Sequence, residues 1–199
     1  MDKIIIATKN AGKLKEFKAF FADYDITAYG LDDLAEQFDD IEETGTTFEE
    51  NAALKAETMA GHLQVPVLAD DSGLEIDALD GRPGVYSARY AGEAKSDQAN
   101  MDKVLKELQD VPEGKRSARF VCVLAVSQPG KETFYARGHV EGAITKAPRG
   151  EYGFGYDPVF QPNGYEKTMA ELKPEEKNQI SHRKQAMVNL EKWLNDQAK

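Results

Sequence analysis

The stretch KIIIATKNAGKLKEF, residues 3–17, sets the reading of the whole chain. Lys3 to Ala7 are apolar and β-branched, as a buried strand requires. Leu14, Phe17, Phe20 and Phe21 then recur at helical spacing. Between them lies a polar strand-to-helix loop, Thr8 to Lys13. A strand feeding a helix leaves backbone N–H groups at the helix N-terminus, where the dipole favours anions. Thr8, Asn10 and the cations Lys9 and Lys13 add side-chain donors, and Gly12 permits close backbone approach. The spacing matches neither G-x-x-x-x-G-K-[ST] nor G-x-G-x-x-G. On local chemistry alone, a phosphate loop and a plain connection both stay open.

Working outward, DITAYG (25–30) reads as a short second strand, followed by an acidic, irregular stretch from Asp32 to Glu43. Thr46 with Glu49, or Thr47 with Glu50, fits a capping box. Phe48, Ala52, Ala56, Met59 and Leu63 share a face of the helix after it. Pro66 ends that region. VPVLA (65–69) reads as a buried strand, DDSG (70–73) as its turn, and LEIDAL (74–79) as a half-buried strand. Asp97 is placed to cap a helix carrying Met101, Val104, Leu105 and Leu108. Residues 118–142 read as a long hairpin with QPGK at its tip. The C-terminal helical pattern carries Ile180, Met187, Leu190 and Leu194, either unbroken or restarted by Ser181. Strands alternate with helices and then form a hairpin, so the expected fold is α/β, a mixed sheet covered by helices.

The chain has 199 residues, 41% hydrophobic and 30% charged, which fits one globular domain with room for two lobes. No apolar run reaches the roughly 18 residues of a membrane span. Neither a signal peptide nor a membrane partner is expected. Cys122 is the lone cysteine and sits in an apolar run, so it reads as a core residue in a reducing cytoplasm. The net charge of −10 argues against a nonspecific nucleic-acid binder, though local cations can still hold a triphosphate.

Glu42, Glu43, Asp70 and Asp71 form two carboxylate pairs suited to Mg²⁺ with phosphate, or to solvated loops and turn caps. Asp70 and Asp71 follow a buried strand, which puts them at its C-terminal edge, where open α/β folds bind ligands. GFGYD (153–157) offers aromatics for stacking on a base, or simply a packed turn. Ser181, His182 and Arg183 are polar donors or a solvated helix face. The three histidines lack zinc-site spacing, and Ser72 lacks a nucleophile elbow. Arg82 and Arg89 flank PGVYSA as surface or interface residues.

Together and in order, IIIATKNAGKLKEF (4–17), EETGTTFEENAALKA (42–56), ADDSGLEIDALDGRPGVYSARYAG (69–92), GFGYDPVF (153–160) and ISHRKQA (180–186) closely resemble the inosine triphosphate pyrophosphatase family. The resemblance covers almost the whole chain. It implies a single domain over residues 1–199, with an elongated mixed β-sheet flanked by helices and two lobes around a central substrate cleft. It also implies a homodimer, Mg²⁺ as cofactor, and hydrolysis of ITP, dITP or XTP to monophosphate and pyrophosphate, which clears deaminated purines from the nucleotide pool. Thr8, Lys9, Asn10, Ala11, Gly12 and Lys13 would hold the triphosphate, with the family pattern permissive at Lys9. Glu42 and Asp71 would bind metal, Glu43 being the neighbouring alternative to Glu42. Asp71 is also the family's proton acceptor. A carboxylate on a cation is a weak base, so Asp71 is read as holding metal or orienting water, with Asp70 sharing that duty. Ser72 would contact substrate. Phe154, Gly155, Tyr156 and Asp157 would surround base and sugar, and Lys177, His182 and Arg183 would reach the purine edge. The competing readings are a phosphatase for another modified nucleotide, a nucleotide sensor without turnover, and an interaction protein.

Overall fold

The computed structural model describes residues 1–197. Six strands form one sheet in the order β2-β1-β3-β4-β5-β6. They are β1 (Lys3–Ile6), β2 (Thr27–Gly30), β3 (Val67–Ile76), β4 (Ser117–Ser127), β5 (Phe134–Ile144) and β6 (Phe160–Pro162). β1 runs parallel to β2 and β3, whereas β5 and β6 are antiparallel, so the sheet is mixed as expected. The helices are α1 (Ala11–Ala22), α2 (Phe48–Leu63), α3 (Asp97–Glu107), α4 (Pro174–Ile180) and α5 (His182–Gln197). None is long and apolar enough to cross a membrane.

The chain divides into two compact units. The first comprises Met1–Asp71 and Val123–Ala136. There Ile4, Ile5 and Ile6 of β1 are buried, as are Phe17 and Phe21 of α1 and Ala52, Ala56 and Met59 of α2. Of the two possible capping boxes, Thr47 with Glu50 forms: the Thr47 hydroxyl accepts the Glu50 N–H, and the Glu50 side chain returns to the Thr47 N–H. The second unit comprises Ser72–Cys122 and the chain from Arg137 onward. Its core joins Leu74 and Ile76 to Met101, Val104 and Leu108 of α3, Phe120 of β4, and Val159, Phe160, Met169 and Leu172.

Two local readings are corrected. DDSG is no turn: β3 runs unbroken through it from Val67 to Ile76. The aspartates of a buried strand need partners, and the structure supplies them in place of a bend. Asp70 and Asp71 therefore sit mid-strand, not at a strand's C-terminal edge. Secondly, Ser96 rather than Asp97 caps α3, its hydroxyl accepting the Ala99 N–H. Of the two forms open for the C-terminal helical stretch, the structure has the restarted one, with two helices. Ser181 interrupts it and caps α5 through the Lys184 N–H.

Gly138 of β5 lets α5 approach closely: a Cβ there would lie 2.2 Å from both the Ala186 nitrogen and the His182 carbonyl oxygen. Gly61, inside α2, faces open space. Gly138→Ala should therefore destabilise the protein by about 1–3 kcal/mol, as overpacking does. Gly61→Ala should stabilise it by about 0.5–1 kcal/mol through helix propensity. Urea unfolding of both variants beside the wild type checks the pair; equal midpoints would contradict both.

Candidate active site

In the first unit, β1 delivers the chain into α1 through the loop 7–10. Asn10 is the N-cap: its Oδ1 accepts the Lys13 N–H at 3.0 Å, while its own N–H donates to Thr8 Oγ1 at 3.2 Å. No acidic residue occupies the first turn of α1. The N–H groups of a first helical turn have no intrahelical partner, so this end favours an anion. Lys9 leans outward, its Nζ 2.5 Å from Asp40, which raises the lysine above its ordinary value.

Lys13 turns inward. Its Nζ lies 2.6 Å from Asp70 Oδ2, in a pair where the carboxylate is almost fully buried. Lys55, absent from the sequence-based set, completes this cluster. Its Nζ donates to Glu43 Oε1 at 2.6 Å and to the Asp70 carbonyl at 2.6 Å. One turn earlier on α2, the buried Asn51 accepts the Gly45 N–H at 2.8 Å and so ties down the loop that carries Glu42 and Glu43. Glu42 itself is exposed, whereas Glu43 is half-buried. Asp71 is 8% exposed and follows Asp70 in β3.

Among the described residues, no three metal-binding side chains converge on one point. Mg²⁺ does not need such a cage. It takes one or two carboxylates and completes its shell with water and phosphate oxygens. The donors offered by this cluster are hard carboxylate oxygens, and they fit an ion of that kind.

The second unit gathers a different chemistry. Gly153 and Gly155 both have positive φ, at 77° and 61°, and bracket Phe154, whose ring is 67% exposed. Gly153 must be glycine for a second reason: a Cβ would collide with Asp157 Oδ2. Asp157 accepts the Phe154 N–H at 3.1 Å and pairs with Lys177 Nζ at 2.5 Å. Lys177 Nζ also lies 4.8 Å from the centre of the Phe154 ring. Burial pushes the Asp157 carboxyl up, Lys177 and the Phe154 N–H pull it back, and Asp97 pushes it up; burial prevails. Tyr156 is buried and donates from its hydroxyl to the Ser87 carbonyl at 2.6 Å. The Ser87 hydroxyl in turn accepts the Leu74 N–H. These contacts, together with the bond from Gly155 N–H to Asp97 Oδ2 at 2.8 Å, fix the aromatic loop.

Lys177 lies in the last turn of α4, and His182 and Arg183 begin α5, with Ser181 between the helices. The His182 ring stacks on Phe120, with centroids 5.2 Å apart and planes at 22°. The first turn of α5 carries His182, Arg183 and Lys184 and no acid. Cations there oppose the helix dipole, so these residues are not placed for helix stability.

Thus Lys13, Asn10 and Thr8 are brought together with Asp70, and Phe154, Asp157 and Lys177 with one another. Lys9 faces Asp40 instead. Ser72 follows Asp71 within β3 and opens the second unit. Lys55 had a signal in the sequence, because it lies on the apolar face of α2 defined by Phe48, Ala52 and Met59. Asn51 and Asp97 act through backbone contacts outside their helices, six and 58 residues away, which helical spacing cannot show.

The profile of the Ham1 family matches residues 4–193. The chain is 66% identical over 194 residues to the dITP/XTP pyrophosphatase of Oceanobacillus iheyensis, covering 98% of each chain. It is 57% identical over 196 residues to the protein of the same name from Bacillus subtilis, again covering 98% of each. Among solved structures, it matches the Staphylococcus aureus Ham1 protein with a TM-score of 0.92 and 49% identity, covering 98% of this chain and 99% of that one. The nucleoside-triphosphatase, dITP/XTP pyrophosphatase of Mycobacterium abscessus matches with a TM-score of 0.84 and 40% identity, covering 94% and 97%. With nearly its whole length matched in sequence and in fold, the chain belongs to the Ham1 family.

Proposed function

We propose that this chain is a nucleoside-triphosphate pyrophosphatase that hydrolyses ITP, dITP and XTP to the monophosphate and pyrophosphate, with Mg²⁺ as cofactor. The observation that carries this reading is the 66% identity, end to end, with a protein named dITP/XTP pyrophosphatase. The chemistry of the two clusters supports it. The loop 8–13 with Lys13 and Lys55 suits a triphosphate, and the aromatic loop with Lys177, His182 and Arg183 suits an oxo-purine.

In this mechanism water attacks the α-phosphorus and pyrophosphate leaves. Such a step depends on positioning and on neutralising charge. Lys13, Lys55 and the first-turn N–H groups of α1 offset charge on the departing pyrophosphate. Asp71, with a carboxylate from the acidic loop, Glu43 or Glu42, would hold Mg²⁺. When bound, the ion neutralises phosphate charge and polarises the phosphoryl oxygens. Asp71 also orients the attacking water, whose proton passes to solvent. Phe154 stacks on the base.

Base choice follows from donors. Hypoxanthine and xanthine present a 6-oxo acceptor, whereas adenine presents a 6-amino donor. Lys177 and Arg183 donate only. Adenine would leave them unpaired, at about 1–3 kcal/mol for each buried group.

We also propose a cytoplasmic homodimer. Tyr86, 50% exposed with the Arg89 guanidinium 5.5 Å from its ring centre, supports an interface, since tyrosine and arginine are enriched there.

The decisive experiment measures pyrophosphate release with Mg²⁺ from ITP, dITP and XTP beside ATP and GTP. Release from the first three and little from the last two is expected. Orthophosphate release, or equal rates on ATP and GTP, would overturn the reading, and tight ITP binding without turnover would favour a sensor. Asp71→Asn should lower kcat by roughly 10³-fold or more while leaving a folded protein; near-normal activity would remove Asp71 from the mechanism. Arg183→Ala should mainly reduce the ITP-to-ATP ratio of kcat/KM, and an unchanged ratio would take Arg183 out of base readout. Because the Asp157 carboxyl sits above its ordinary 3.8, it takes up its proton earlier as pH falls. Protonation discharges the partner of Lys177, so KM for ITP should rise on the acid side, beginning above the ordinary aspartate range. By the same sign, Asp157 costs stability at neutral pH, and that cost is relieved as pH falls through its raised value. A pH profile of KM for wild type and Asp157→Asn checks this: the acid limb should vanish in the variant.

A further inference from the structure

We propose that Asp97 is a positioning residue for base recognition, its carboxylate holding the Gly155 N–H and so fixing where Phe154 presents its ring. The inference rests on the function proposed above and deepens it. Asp97 opens the first turn of the eleven-residue α3, where the helix dipole favours an anion. Ser96 already caps that helix, so the Asp97 carboxylate is not committed to it. It reaches 58 residues along the chain to accept the Gly155 N–H at 2.8 Å.

The aromatic loop depends on such a contact. Phe154 stands between two glycines with positive φ, the most permissive backbone available. A Cβ at Gly155 would have nothing within 4 Å, so side-chain packing does not hold this point. The Phe154 ring is 67% exposed and is not positioned by burial. What fixes it is the backbone on either side. The Phe154 N–H is held by Asp157 and the Gly155 N–H by Asp97, while the Tyr156 hydroxyl anchors the next residue to Ser87. Two consecutive N–H groups thus go to two carboxylates, one within the loop itself and one 58 residues away. Without Asp97 the loop must be ordered by the incoming base, which weakens binding and leaves the phosphate chemistry of Asp71 and Lys13 in place.

The test is steady-state hydrolysis of ITP by wild type, Asp97→Ala and Asp97→Asn, combined with amide exchange of Gly155 measured by NMR. Asp97→Ala should raise KM by roughly five- to tenfold, as loss of one solvent-exposed hydrogen bond does, with kcat within about twofold. Asp97→Asn keeps an oxygen acceptor and should restore KM to within about twofold of wild type. Gly155 amide exchange should quicken in Asp97→Ala and not in Asp97→Asn. An unchanged KM in Asp97→Ala with an active wild type would overturn the role of Asp97 alone, as would an Asp97→Asn enzyme as impaired as Asp97→Ala. A wild type inactive on ITP, dITP and XTP would overturn the proposed function, and this inference with it.

Discussion

A carboxylate in the middle of a buried strand must find a cation or hydrogen-bond donors, because losing water costs an ion far more than an apolar group gains. β3 imposes this condition with Asp70 and Asp71 at its centre. Much of the first unit answers it. α1 is started by an asparagine cap that places Lys13 within 2.6 Å of the Asp70 carboxylate. α2 is started by a threonine–glutamate box that sets Lys55 on the Asp70 carbonyl. Two helix caps, two lysines and one strand are thereby interdependent. The lysines meet a buried acid in the resting protein, so their ordering and partial desolvation precede any phosphate.

The second unit solves the opposite problem, holding an exposed aromatic ring still. Phe154 gains little from burial, so its placement comes from polar contacts on neighbouring backbone. Asp157 is the costly member of that set. Burial pushes its carboxyl up, and Lys177 only partly offsets the effect. One donor of Lys177 is on Asp157 and its charge lies over the Phe154 face, which leaves further N–H groups for a ligand. The arrangement holds the loop at some expense in stability.

Helix and strand identity was legible wherever periodicity was strong. The isoleucines of β1, the stripes of α1 and α2, and the hairpin strands β4 and β5 all lie where the pattern put them. The misreadings have a common cause. Acids followed by Ser-Gly carry turn chemistry locally, and the partner of the buried Asp70 carboxylate, Lys13, lies 57 residues away. Asp97 and Ser96 are both good caps by type, and the choice between them turns on Gly155, 58 residues away. The motif residues of both clusters were visible as residue types. Their partners were not: Lys55 to Glu43 and Tyr156 to Ser87 are contacts 12 and 69 residues apart with no short-range signature.

Local rule-breaking nevertheless marks the site. The first turn of α1 has no acid and carries Lys13, and that of α5 carries His182, Arg183 and Lys184. Lys55 sits in an apolar stripe, and Phe154 stands in solvent. Each choice is unfavourable for folding taken alone, and each adds a donor or a stacking face. The same logic extends to the whole charge distribution. A chain of net charge −10 repels a triphosphate at long range. At about 0.1 M salt that repulsion is screened beyond roughly 10 Å, so a substrate close to the surface responds to the nearest groups rather than to the total. The nearest cations are Lys13 and Lys55, each already paired with an acid, at Asp70 and Glu43. The acids of the cluster then become useful in turn, because they supply the oxygens that a divalent cation needs if it is to accompany the phosphates.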